Sequence, residues 1–207
     1  PEPLEPGRRY RVRVDMNHVA HTFPTGHRLR LAVSTSYWPL AWTPPEVAEL
    51  SVVGGLSTMT LPVRPPRSED AELRPFDEPI TAPGTPARRI HPRQHGWKVH
   101  RDLATDRATL DVLKDEGLVR LEDIELDFEE SSQEWYTVQD DDADTARGEA
   151  RWRYRLRRGA WEVSARTRTV LTSDSGFFHL HAQLDAWEGE RRVYSRNWTR
   201  RIPRDLV

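Results

Sequence analysis

The sequence predicts an all-β protein, a β-sandwich of the jelly-roll type. Three observations carry that expectation. Apolar residues recur with a period of two over short segments, and Pro- or Gly-containing turns separate those segments. Two successive hairpins near the C-terminus direct one common set of residues inward. No long amphipathic helical pattern interrupts the series. With 207 residues the chain is long enough to bury a core of its own.

The first strand is expected where Tyr10, Val12 and Val14 alternate with Arg11, Arg13 and Asp15. A second begins at His27, with Leu29, Leu31 and Val33 on one face. Shorter strands are expected over 56–63, 97–103, 109–113 and 134–139. The segment from Ala108 to Gly117 is the nearest approach to a helix, yet DRATLDV reads equally well as strand. Eight of the sixteen prolines fall between Pro62 and Pro92. Proline removes amide donors, so this stretch reads as an extended strap with Leu73, Phe76 and Ile80 as its anchors. The expected division is a linker over residues 1–7 and one jelly-roll domain over 8–207, with a Pro-rich loop over about 62–96.

The C-terminal third permits a test of register. A two-residue turn at Arg158-Gly159 sets Trp152, Tyr154 and Leu156 against Ala165, Val163 and Trp161. It also places Arg155 opposite Glu162, a favourable cross-strand pair. A turn over Ser173 to Gly176 sets Leu171, Thr169, Thr167 and Ala165 against Phe178, Leu180, Ala182 and Leu184. Both hairpins turn the same residues inward. A third, at Gly189-Glu190, leaves Ser195 and Asn197 facing the core, a misfit in that register.

Charge is balanced, with Lys+Arg 31 against Asp+Glu 33 and a net charge of -2. Nucleic acid and anionic membranes favour a basic excess, so neither is expected as a partner. No apolar run is long enough to span a bilayer, and no basic start followed by an apolar stretch suggests a signal peptide. The chain has no cysteine, which removes disulfides, thiolate metal sites and Cys nucleophiles; it is compatible with a cytoplasmic location without fixing one.

Candidate sites each have an ordinary structural reading. GLSTM places Ser57 where a nucleophile elbow would have its serine, but Met59 stands where the turn needs glycine. His179 and His181 share one strand face opposite Val170 and Arg168 respectively, and a facing cation disfavours a divalent metal. His18, His21 and His27 form a looser group without a legible third ligand. Asp140, Asp142 and Asp144 match the opening spacings of a calcium loop, yet Thr145 and Arg151 occupy its Gly and Glu positions. Arg151, Arg153, Arg155 and Arg157 line one strand face and read as a solvated row. No catalytic residue, metal ligand or cofactor is expected.

The stretch SYWPLAWTPPE concentrates Tyr37, Trp38 and Trp42 with Pro39, Pro44 and Pro45. Trp38, Trp42 and Trp97 offer flat faces on which sugars stack, whereas Trp152 and Trp161 belong to the expected core. FPTGHRLRLAVSTSYWPLAWTPPE and DSGFFHLHAQLDAWEGERRVYSRNWTRRIPRDLV carry a more specific signal. Together with HRDLATDRATLDV from His100 and the Asp-rich turn before Ala150, they resemble the C-terminal domain of cocaine-esterase/X-prolyl dipeptidyl-peptidase type serine hydrolases. The resemblance runs in order from about His18 to Val207.

That resemblance implies a parent protein with an α/β-hydrolase domain, a helical cap, and a C-terminal jelly roll resembling galactose-binding domains. The Ser-Asp-His triad of such enzymes lies in the hydrolase domain and has no counterpart here. The implied role is non-catalytic: packing on and stabilising the hydrolase and cap domains, with the hydrolase domain of the same parent chain as partner. The parent would act on ester or amide bonds. Tyr37, Trp38, Leu40 and Trp42 are then the expected domain-interface or ligand-facing residues. A carbohydrate-binding module using exposed tryptophans is the alternative, and self-association of the isolated domain is left open.

Overall fold

The computed structural model describes residues 2–140 and 142–206. Pro1, the start of the expected linker, Asp141 of the acidic turn, and Val207, the end of the resembling segment, lie outside the described residues. The all-β expectation holds. Eight strands form one open antiparallel sheet: β1 (Ala87–Arg89), β2 (Gln94–Asp102), β3 (Arg107–Leu121), β4 (Leu126–Gln139), β5 (Asp142–Arg158), β6 (Trp161–Ser173), β7 (Phe177–Glu188) and β8 (Arg191–Pro203). The order is β1-β3-β4-β5-β6-β7-β8, with β2 paired to the same edge of β3 as β1, further along the strand. From β3 onward each strand thus pairs with its sequence neighbour, and such a sheet is consistent with a layer of an all-β sandwich.

The turns follow from local backbone chemistry. Gly159 and Gly189 open the β5–β6 and β7–β8 turns at φ +58° and +56°, a region that suits glycine. Gly117 (φ +68°) sits in a bulge where the β3–β4 register shifts between Asp115 and Leu118. Asp115 Oδ1 accepts the Gly117 amide at 2.8 Å, and Leu118 O accepts Ile90 N at 2.7 Å, which ties the β1–β2 connection to the bulge.

Alternation gives the sheet two unlike faces. One carries Trp97, Val112, Tyr136, Trp152, Ala165, Leu171, Leu180 and Trp198, in register from β2 to β8. The other carries the arginine row of β5 with Asp127, Glu129, Glu149 and Arg168. Val112, Leu118, Ala146 and Val170 are the buried apolar residues. Of the two expected core tryptophans, Trp152 is half-buried and stacks on Tyr154 (6.0 Å, 5° between planes), whereas Trp161 is exposed.

The two hairpin registers differ from expectation by two residues. Tyr154 faces Ala165 and Leu156 faces Val163, because the turn is Gly159-Ala160. Leu171 likewise faces Leu180, and Thr169 faces Ala182. A shift of two preserves the face, so the inward set is unchanged. The third hairpin turns at Gly189-Glu190, as expected. A bulge between Ala186 and Trp187 then brings Tyr194 and Trp198 to the apolar face and sends Ser195 and Asn197 to the other, which removes the misfit.

Residues 2–86 form no strand; a 3-10 turn at Ser68–Ala71 is their one regular element. The strands expected at Tyr10–Val14, from His27 and over 56–63 are therefore absent here. Alternation prepares a strand, but a ladder also needs a neighbour for its amides, and Val12, Val14, Leu29 and Leu31 lie exposed without one. Leu73, Phe76 and Ile80, the expected anchors of the Pro-rich strap, are exposed as well. The strap's last residues join the sheet as β1 and the start of β2.

Candidate interaction surface

Within the strandless residues 2–86, the aromatic loop reaches the sheet. Trp42 lies on the apolar face beside Gly148, and its Nε1 donates to Ser173 Oγ at 2.7 Å. Its ring meets Trp38 edge-on at 4.9 Å and Phe178 at 5.9 Å, and Trp38 meets Tyr136 at 6.1 Å. Thr43 is buried and donates its hydroxyl to Ala143 O at 3.2 Å. Trp38 and Trp42 are thus half-buried anchors, while Tyr37 and Leu40 point outward at 67% and 73% exposure.

Arg204 closes the arrangement. It is 1% exposed, and its guanidinium donates to Thr43 O, to Ser173 Oγ at 3.3 Å and to Asp174 O at 3.1 Å, with the Phe178 ring 4.9 Å away. A buried guanidinium is tolerable when its donors are met in this way. It joins the end of β8, the β6–β7 turn and the aromatic loop. Arg204 lies in the C-terminal segment that carries the resemblance, yet the sequence assigns it no role; an arginine after the last strand carries no signal of the loop it will meet.

The opposite face is an ion-pair lattice. Glu149, 6% exposed, takes Arg168 at 2.8 Å, Arg151 at 2.8 Å and Arg147. These hydrogen bonds, Arg168 first, hold its carboxyl at about 2 against burial. Asp127 is likewise held below its ordinary value by Arg157 (2.8 Å) and Arg120 (3.0 Å). Arg155 bonds Glu129 at 2.8 Å and reaches Glu162 diagonally at 3.9 Å; the residue directly facing Glu162 is Arg157. The β5 row is therefore mostly paired rather than merely solvated.

The other sequence candidates do not converge. Ser57 donates its hydroxyl to the Val53 carbonyl at 2.9 Å rather than to a histidine or carboxylate. His179 bonds Asp174 Oδ2 at 2.8 Å, and that bond first, then the Gly176 amide, lowers the Asp174 carboxyl to about 2. His181 faces Val170 but His179 faces Thr172, so the expected Arg168 neighbour is displaced by the two-residue shift. Asp142 accepts the Asp144 amide at 3.0 Å at the start of β5. His21 packs edge-on against Phe23, and His18 and His27 lie exposed. Trp97 is 69% exposed on β2. Among the described residues no three His, Asp or Glu side chains gather as metal ligands.

The sheet's polar groups are engaged mainly with one another, and the loop carrying Trp38 and Trp42 is anchored to its apolar face. Residues 1–71 match the model of the X-Pro dipeptidyl-peptidase C-terminal non-catalytic domain. The matched stretch contains the whole aromatic loop and stops at the 3-10 turn before the sheet. No curated protein and no solved structure matches the chain.

Proposed function

We propose that this chain is the non-catalytic C-terminal β-sandwich of a serine hydrolase, an acyl esterase or X-Pro dipeptidyl-peptidase-like enzyme, and that it packs on and stabilises the α/β-hydrolase and cap domains of the same parent chain. The observation that carries the reading is the loop: Trp38 and Trp42 fix its backbone to the sheet while Tyr37 and Leu40 face solvent. Such an arrangement holds apolar area ready for a partner at little entropic cost. A jelly-roll sandwich resembling galactose-binding domains belongs to the same proposal. The sheet is one layer, and the alternating stretches at 10–14 and 27–33 have the pattern of a second.

The test is a Tyr37→Ser/Leu40→Ser double variant made in the parent protein and in the isolated chain. The expected result is a lower melting temperature for the hydrolase domain in the parent and no change in the isolated chain. Equal melting of the parent proteins would overturn the packing role. The carbohydrate alternative draws on an open hollow of about 460 Å³ lined by Ser34, Ser36, Tyr37, Trp42 and Phe178. Its Trp42 and Phe178 rings cross at 82° rather than lying coplanar, which favours packing. A glycan titration that saturates, and fails in Tyr37→Ala, would reverse that preference.

A further inference from the structure

We propose that Arg153 and Arg166, with the Ser131 hydroxyl beside them, form a binding site for a small oxyanion, a phosphate or carboxylate group of a ligand. Along β5 the neighbouring arginines have counter-ions: Arg147 and Arg151 on Glu149, Arg155 on Glu129, Arg157 on Asp127. Arg153 has no ion pair, side-chain hydrogen bond or ring contact among the described residues. Its direct cross-strand partner is Arg166. That guanidinium lies over the Trp187 ring at 5.1 Å and has no ion pair among the described residues. Asp185, which faces Arg166 from β7, bonds Arg192 instead at 3.5 Å.

Two like charges facing each other across a ladder repel, so this pair destabilises the empty sheet. A shared anion reverses the sign of the interaction. The pair borders a hollow of about 250 Å³, which Ser131, Gln133, Arg151 and Asp115 also line. Ser131 faces Arg153 on β4 and can donate its hydroxyl. The Gln133 amide donates to Asp111 and Arg151 to Glu149, while Asp115 Oδ1 accepts the Gly117 amide and its carboxylate sets the negative rim that an anion must clear to reach the two guanidiniums. Each guanidinium presents a planar fork of N–H groups suited to two oxygens of one anion, and aromatic stacking orients the Arg166 fork.

The test is titration of the purified 207-residue chain with sodium phosphate, and separately with sodium acetate, against sodium chloride at matched ionic strength. Binding is followed by calorimetry and by the NMR signals of the arginine Nε–H groups. Saturable binding is expected in the wild type and in Arg93→Gln, an exposed control. It should weaken about tenfold or more in Arg153→Gln and in Arg166→Gln. Arg153→Lys, which keeps the charge without the fork, should fall between. Tighter binding of phosphate than of acetate at this site assigns a phosphoryl ligand, and the reverse assigns a carboxylate; either supports the proposal. No saturation beyond sodium chloride, or binding unchanged in both glutamine variants, overturns it. Without anion, Arg153→Gln should melt no lower than the wild type. A clear fall would show that Arg153 holds the sheet together and would also refute the reading.

Discussion

Replacing Glu149 by Gln tests whether the charged face contributes to folding or merely decorates it. The substitution keeps the shape and removes the charge that Arg147, Arg151 and Arg168 share. Two routes give its size. The drop of the carboxyl from 4.5 to about 2 converts, at about 1.4 kcal/mol per pH unit, to about 3 kcal/mol. Breaking a buried pair by removing one partner costs about 3–5 kcal/mol, and here the three guanidiniums remain partly hydrated and recover some of it. The expected loss is therefore about 2–3 kcal/mol, or roughly 4–12 °C in melting temperature for a domain of this size. Because the folded-state value lies below the unfolded one, the unfolded chain binds more protons in acid. The contribution is whole above 4.5 and disappears as pH falls toward about 2. Thermal melts by circular dichroism at pH 7 and at pH 2.5 would show it, with Glu190→Gln as a turn control. The wild-type advantage should be large at pH 7 and mostly gone at pH 2.5. A variant melting within a degree of wild type at pH 7 would refute the reasoning.

Gly117→Ala should be among the most damaging small changes. Its Cβ would come within 2.7 Å of Pro92 O at a φ of +68°, and strain plus overpacking add to about 3 kcal/mol or more, readable in the urea midpoint. Ser173→Ala and Trp42→Phe both delete the 2.7 Å bond, so each should cost about 1–3 kcal/mol. In a double-mutant cycle the second change should add less than it does alone; full additivity would show that the bond does not hold the loop.

Face selection was legible in the sequence, and register was not. Period-two alternation places Tyr154, Leu156, Ala165 and Leu171 on one face whether the turn is Arg158-Gly159 or Gly159-Ala160. What decides between them is the need for positive φ at Gly159, the first turn residue. The misfit of Ser195 and Asn197 did carry information, since a bulge is the local event that repairs such parity. Glu149 and Arg204 were missed for a different reason. Their partners Arg168, Ser173 and Thr43 come from other segments, and no spacing along one strand announces them. The nearest sequence clue is Arg147-x-Glu149-x-Arg151, three charges on one strand face. The N-terminal alternation failed for want of a pairing partner.

The bond from Arg204 to Thr43 spans 161 residues of chain. On the ribosome, at about 5–20 residues per second, the aromatic loop emerges roughly 8–30 seconds before the side chain that fastens it. During that interval Tyr37, Trp38, Leu40 and Trp42 are bare on a growing polypeptide. The loop proposed to meet a partner is thus also a segment in need of shelter while the protein is being made.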